Sequence, residues 1–405
     1  MIISELSRLC KRLDTVPVGF LTELCKRFVK VLSIGILGLS CQVAAAEESP
    51  LLDCPLRDAP FSVDLPLIDV FLSPAAVAVM QHETPQLLQG MPDSMVTNTA
   101  PTMGAIMSVR NAAAIRQIPA EDIVRLNNAL NAVPLSDDDR RARCLRYDND
   151  QPEFEPADSA VHLLVFKKIN GHDHGASVDA ATRAVLALAD ELGWSVSVTD
   201  KGGAFTPDTL ARFDAVIWNN VSGDVLTLSQ RKVFEDYINA GGGYVGIHGS
   251  GGDALNFWDW YVNTLLGARF IGHPMDPQLQ DADIRIEEQP SGIGATVAPG
   301  WIMQDEWYSF QTSPRAAGAS VIATLDEESY TQKGYGGTDL RMGDDHPIVW
   351  TRCVGDGRVF YTAIGHRPEV YNVPQTIRLL KDGVVWAAGK GNSTCSFGKE
   401  QEIQE

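Results

Sequence analysis

The sequence runs to 405 residues, 44% of them hydrophobic, with a formal net charge of −19 at pH 7. That is enough apolar material for one large core or more. So negative a chain repels nucleic acid and anionic membrane surfaces, which excludes both as expected partners.

In chain order, residues 1–46 read as an export signal. Lys26, Arg27 and Lys30 precede the apolar run "VLSIGILGLS", and Ala44-Ala45-Ala46 offers small residues for cleavage before Glu47. The run is too short for a permanent transmembrane helix. "GLSC" makes lipid anchoring at Cys41 the alternative to a periplasmic or secreted protein. Four of the seven cysteines lie beyond this segment: Cys54, Cys144, Cys353 and Cys395. In an exported protein an even number reads as two disulfides. Three pairings are possible; Cys54–Cys144 with Cys353–Cys395 is the expectation, because each pair closes one sequence region.

Residues 47–150 read as a small, mainly helical domain. "PLIDVFLSPAAVAVMQHE" and "AEDIVRLNNALNAVP" carry apolar residues at helical spacing. No chemical constellation stands out there, and His82 reads as a surface or packing residue. Residues 151–160, acidic and proline-containing, read as a linker.

From residue 161 strands and helices alternate. "VHLLVFKK", "WSVSVTD", "DAVIWNN" and "YVGIH" are strands, while "DAATRAVLALADELG", "TPDTLARF" and "TLSQRKVFEDYINAGGG" are helices. The last opens on a Thr-x-x-Gln capping box and stops at glycine. Such alternation predicts a doubly wound α/β fold with a mostly parallel sheet. After residue 280 the pattern turns strand-rich, with "ADIRIEE", "SVIATLDEE", "HPIVWTRC" and "GRVFYTAIGH". "VGDG" joins the last two as a hairpin. "VPQTIRLLKDGVVWAAG" closes the domain as a helix, and 391–405 reads as a disordered tail.

Polar residues gather at the predicted strand ends. His172 and His174 follow the first strand, Asn219 and Asn220 the third, His248 the fourth, and His366 follows "VFYTAIG". The carboxyl ends of parallel strands face one crevice, so His174 and His248 should converge there. "QDEWYSF" supplies Asp305 and Glu306, whose side chains must point to opposite faces if the segment is a strand. Trp307 and Tyr308 beside them could stack on a sugar ring or pack, and Asp200, Asn219, Asn220 and Asp224 could bond sugar hydroxyls. His273-Pro274 and His346-Pro347 read as turn-shaping pairs, leaving His366 the better candidate. "KGGAF" and "GGGYVG" lack the Lys-Ser/Thr or the spacing of a phosphate loop, so no nucleotide cofactor is expected.

Residues 161–390 resemble the trehalose-utilisation (ThuA-like) domain of the class I glutamine-amidotransferase-like, flavodoxin-like group. The matching stretches are "VFKKINGHDH", "SGDVLTLSQRKVFEDYINAGGGYVGIH", "GHPMDPQ", "QDEWYSF", "TLDEESY", "HPIVWTR" and "GRVFYTAIGHRPEVY". The resemblance aligns His248 with the turn that carries the nucleophilic cysteine in the amidotransferases, which excludes that activity here. It puts His174 at the histidine of the family's first-strand loop and Glu306 at its acidic position. What it implies is a sugar or keto-sugar substrate turned over by acid/base or metal-assisted hydrolysis or elimination. His174, His248 and Glu306 would be catalytic. Asn219, Trp307, Tyr308 and His366 would bind substrate. His174, His248 and His366 would hold a divalent metal, zinc above others. The alternative from another class is a carbohydrate-binding protein on an amidotransferase-like scaffold without its nucleophile.

Overall fold

A computed structural model describes residues 51–287, 292–390 and 395. The expected export signal, Cys41 and the expected tail, apart from Cys395, lie outside these residues.

Strands β1 (His162–Phe166), β3 (Ala215–Asn219) and β4 (Gly243–Ile247) are buried along their whole length, and β2 (Ser195–Thr199) is half-buried. They are followed by β5 (Phe270–Gly272), β6 (Leu279–Ile286), β7 (Gly300–Glu306), β8 (Ser309–Phe310), β9 (Ser320–Leu325), β10 (Pro347–Val354) and β11 (Gly357–Thr362). A nine-stranded sheet has the order β2-β1-β3-β4-β11-β10-β9-β6-β7, while β5 pairs with β8 alone. From β2 to β11 every pairing is parallel, and from β11 to β7 every pairing is antiparallel. The parallel part has the doubly wound, flavodoxin-like order, with helices supplying both layers.

Local chemistry accounts for the elements. Helix Leu228–Asn239 opens on Thr227, whose hydroxyl accepts the Gln230 N–H while the Gln230 side chain accepts the Thr227 N–H. This reciprocal cap satisfies two N–H groups that a helix start would otherwise leave bare. Asp356 with Gly355 makes the tight β10–β11 turn, and Val354 pairs with Gly357 across it. The four strand-rich segments of the sequence become β6, β9, β10 and β11. Strand β7 is not among them, because its terminal "QDE" has the look of a charged loop.

Residues 51–147 carry short helices around a core of their own, including Phe61, Leu67, Met80, Leu126 and Leu130. The region is tied to the strand-end loops. Thr102 N–H donates to the Asn170 carbonyl at 3.0 Å, and Leu228 N–H to the Asp53 carbonyl at 3.0 Å. Gln230 Nε2 donates to the Asp148 carbonyl at 2.8 Å. Residues 151–160 contain no helix or strand, and Phe154 packs edge-on against Phe213 at 5.5 Å.

Both disulfides take the expected pairing: Cys54–Cys144 closes a separation of 90 residues and Cys353–Cys395 one of 42. Two disulfides favour an oxidising, extracellular environment. No described helix is long and apolar enough to cross a membrane.

Candidate functional site

Three loops and one strand end meet above the parallel sheet. After β1, Asn170 and Gly171 donate their N–H groups to the Ser222 carbonyl, and His172 N–H donates to Ser222 Oγ at 3.0 Å. The Ser222 hydroxyl in turn donates to Asp253 at 2.9 Å. This anchored loop presents His174.

After β4 the chain turns sharply at His248, which holds φ +40 and begins the short 3-10 turn His248–Gly251. Such a backbone is costly for a non-glycine residue, of order 1–3 kcal/mol, and persists where surroundings enforce it. The Tyr361 hydroxyl donates to the His248 carbonyl at 2.9 Å, and Gly249 N–H donates to Asn220 Oδ1 at 3.2 Å. A Cβ on residue 249 would stand 2.7 Å from His174 Cε1, so only glycine lets the two imidazoles approach. His248 Nδ1 lies 2.6 Å from the Ala363 carbonyl, which can only accept. Nδ1 therefore carries the proton, and Nε2 turns its lone pair inward.

Strand β7 ends on Asp305 and Glu306, and the pleat sends them to opposite sides. Glu306 Oε2 stands 3.5 Å from His248 Nε2 and 3.3 Å from His366 Nδ1. Its Oε1 stands 3.4 Å from His273 Nδ1 and accepts from Gln278 Nε2. Asp305 accepts the N–H groups of Gly365 at 2.7 Å and Arg367 at 3.0 Å, which bracket His366.

The structure thus brings together one ligand atom each from His174, His248, Glu306 and His366, all within 4.8 Å of one another. The His174 ring lies 4.9 Å from that of His248 and 5.3 Å from that of His366. His174 Nδ1, His248 Nε2 and His366 Nδ1 are buried and have no hydrogen-bond partner. Unpaired buried polar atoms are rare and costly. Three of them facing a carboxylate fit the donor set of a divalent cation.

The electrostatics favour a charged Glu306 and a neutral His174, while at His366 a cation would have to displace a proton. Burial opposes the charge of Glu306, but His248, His366 and His273 outweigh it and hold the carboxyl below its usual range. Burial, reinforced by the neighbouring histidines, pushes His174 well below its ordinary value, so its lone pair stays free. For His366 burial works downward as well, and the Glu306 carboxylate overcomes it to raise the imidazole.

Of the other residues singled out from the sequence, His172 and Tyr308 border the cluster and the rest stand elsewhere. His172 is exposed, its ring 4.7 Å from that of His174. Asn219 is buried and donates to the Val178 carbonyl at 2.7 Å and Thr182 Oγ1 at 2.9 Å. Trp307 is 0% exposed, its indole N–H given to the Gln280 carbonyl at 2.7 Å. Tyr308 is buried, stacked on the His248 ring at 4.2 Å. Asp224 pairs with Arg231 at 2.9 Å. His346 bridges the Tyr308 carbonyl at 2.9 Å and Glu327 at 2.7 Å. The structure does not bring Asn219 or Trp307 to the cluster. Sequence reasoning missed Gln278, Asp253 and the Ala363 carbonyl. Asp253 had a signal as the one charge in "GGGYVGIHGSGGD", and Gln278 as the last residue of the family-like stretch "GHPMDPQ".

Asp253 gives the first prediction. Burial raises its carboxyl from 3.8 to about 7, against the opposing pull of the Gly223 N–H and the Ser222 hydroxyl. A raised folded-state pKa stabilises the fold fully below the unfolded value and loses that contribution as pH climbs through about 7. Denaturant unfolding at a series of pH values should therefore show the protein losing up to about 4 kcal/mol between pH 4 and 8 from this group. Asp253→Asn should lack that component. Equal slopes in the two proteins would refute the assignment.

Residues 162–387 match the family model described as trehalose utilisation (ThuA). Among solved structures, a ThuA-like protein from Bacteroides uniformis is 23% identical, with TM-score 0.50, over 60% of this chain and 98% of its own. A ThuA-like protein from Parabacteroides merdae is 16% identical, with TM-score 0.44, over 58% and 93%. A GMP synthase component from Thermoplasma acidophilum is 12% identical, with TM-score 0.35, over 56% and 94%. None of the curated proteins matches the chain. The likeness to the first of these structures is one of fold.

Proposed function

The chain belongs to the trehalose-utilisation (ThuA) family, and from that premise we propose that it is an exported enzyme acting on a sugar or keto-sugar derivative through a divalent-metal centre. The observation that carries the reading is the convergence of three unpartnered buried imidazole nitrogens on the Glu306 carboxylate. Imidazole and carboxylate together suit zinc. A divalent cation held there supplies Lewis-acid polarisation of a substrate oxygen.

The remaining work falls to the chain itself. The Ala363 carbonyl fixes the His248 tautomer, a role that neighbouring acceptors commonly play for metal-binding histidines. Gln278 holds Glu306 Oε1, which leaves Oε2 turned toward the histidines. A carboxyl held below its usual range suits a ligand better than a general acid. Proton transfer at the open side is assigned to Nε2 of His273, a quarter exposed, because its Nδ1, 3.4 Å from Glu306, gives its proton to the Pro274 carbonyl at 2.9 Å. Thiolate chemistry is excluded on this domain, because Cys353 and Cys395 are joined to each other.

The test is the metal content of the mature chain purified without chelator or affinity histidines, followed by turnover of a keto-disaccharide before and after chelation. About one equivalent of zinc and chelator-sensitive release of a monosaccharide are expected. Bound metal without turnover favours a carbohydrate-binding protein on the same scaffold. Absence of metal refutes the centre.

A further inference from the structure

The rim beside Glu306 has an unusual composition. Its segment from β5 into β6 sends two polar side chains, His273 and Gln278, inward to the Glu306 carboxylate. The apolar residues of the same segment stay outside: Ile271 is 43% exposed, Met275 41% and Leu279 37%. Leu279 pairs directly with Glu306 across the β6–β7 ladder.

A second exposed apolar residue group adjoins it. Lys333 and Asp339 bridge to make a small hairpin whose tip carries Tyr335, 59% exposed. Met275 N–H donates to the Lys333 carbonyl at 3.1 Å, and the Leu340 side chain lies against both Gly272 and Gly334. The hairpin is thereby seated on the His273 rim rather than free of it. Gly336 and Gly337, at φ +64 and +83, give the tip a shape that other residues adopt only with strain.

Exposed apolar residues on two segments that are bonded to each other, beside a polar cluster, suit a ligand site. A pyranose ring displays hydroxyls at its edge and C–H bonds on its faces, so its recognition needs an apolar platform as well as polar groups. The aromatics nearest the cluster cannot supply one, since Trp307 and Tyr308 are 0% and 3% exposed. A sugar whose reacting bond sits at the cluster must lay its other ring outside it. We propose that Tyr335, Met275 and Ile271 form the subsite for the second, non-reacting ring of a disaccharide-sized ligand, against its C–H face. The proposal rests on the carbohydrate part of the function proposed above and not on the metal.

The experiment is calorimetric titration of the mature protein with trehalose and with methyl α-glucoside, alongside zinc content and sedimentation velocity, for wild type, Tyr335→Ala and Tyr335→Phe. Tyr335 is exposed, so neither variant should disturb folding. Tyr335→Ala should weaken trehalose by about fivefold to tenfold, Tyr335→Phe by less than about twofold, and methyl α-glucoside should be unaffected by either. Unchanged trehalose affinity in Tyr335→Ala overturns the subsite, as does equal weakening of both sugars. Loss of a dimer in Tyr335→Ala with sugar binding intact overturns it too, and makes the patch a contact between copies. Zinc bound with no affinity for either sugar overturns the subsite and leaves the metal centre standing. Trehalose discrimination in a zinc-free protein refutes the centre and supports the subsite.

Discussion

His248→Ala is expected to lower zinc affinity by at least about 100-fold, so that protein purified with about one equivalent in the native form carries almost none in the variant. The size follows from the arrangement. His248 Nε2 has no alternative partner, and its Nδ1–H is committed to Ala363 at 2.6 Å, so the lone pair is aimed before any cation arrives. Removing the ring takes away one of four converging donors and also the stack under Tyr308. That second loss costs stability on its own, so the alanine variant needs a companion. Asparagine tolerates the positive φ of residue 248 and offers no imidazole. His248→Asn should therefore melt closer to the metal-free native protein than His248→Ala does, and should be equally poor in zinc. Zinc retained in both variants removes His248 from the centre.

How far the sequence reaches is set by which interactions are local. The buried strands announce themselves, because a parallel sheet covered on both faces needs continuous apolar runs such as "VHLLVF" and "DAVIW". The convergence of His174 and His248 is also legible, since β1 and β4 run parallel and their carboxyl ends share one crevice. His366 joins them through a parallel β4–β11 pairing that the hairpin pattern of its segment does not announce. Glu306 is a different case. It comes from β7, at the far edge of the sheet, four places from β11 through antiparallel strands that no motif orders. Only the family resemblance pointed to it. Asn219 and Trp307 show the opposite failure. A polar or aromatic residue at a strand end looks like a ligand contact in sequence, yet both donate their N–H groups to neighbouring carbonyls or hydroxyls. Pairing of that kind is decided by tertiary neighbours, 41 and 27 residues away in these cases, and leaves no trace in local pattern.

Asp305→Ala should lower zinc affinity by about 10- to 100-fold although Asp305 is aimed away from the cluster. Its carboxylate is 0% exposed and receives the Gly365 and Arg367 N–H groups at 2.7 and 3.0 Å, one on each side of His366. Burial raises its carboxyl, while the charge of His248 and these N–H groups work against the shift. Alanine leaves two buried donors without an acceptor, a cost of about 1–3 kcal/mol each, and frees the backbone that aims His366 Nδ1 at Glu306. Asparagine keeps one acceptor and sets an amide against the other N–H, so Asp305→Asn should fall between the two in both stability and zinc affinity. The discriminating comparison is zinc affinity at a temperature where every variant remains folded. A variant that melts lower and binds zinc like the native protein makes Asp305 a brace for the fold alone. A graded loss of affinity from Asp to Asn to Ala makes it the residue that positions His366. It would also explain why β7 ends on two adjacent carboxylates: one faces the cluster, and the other holds the loop that completes it.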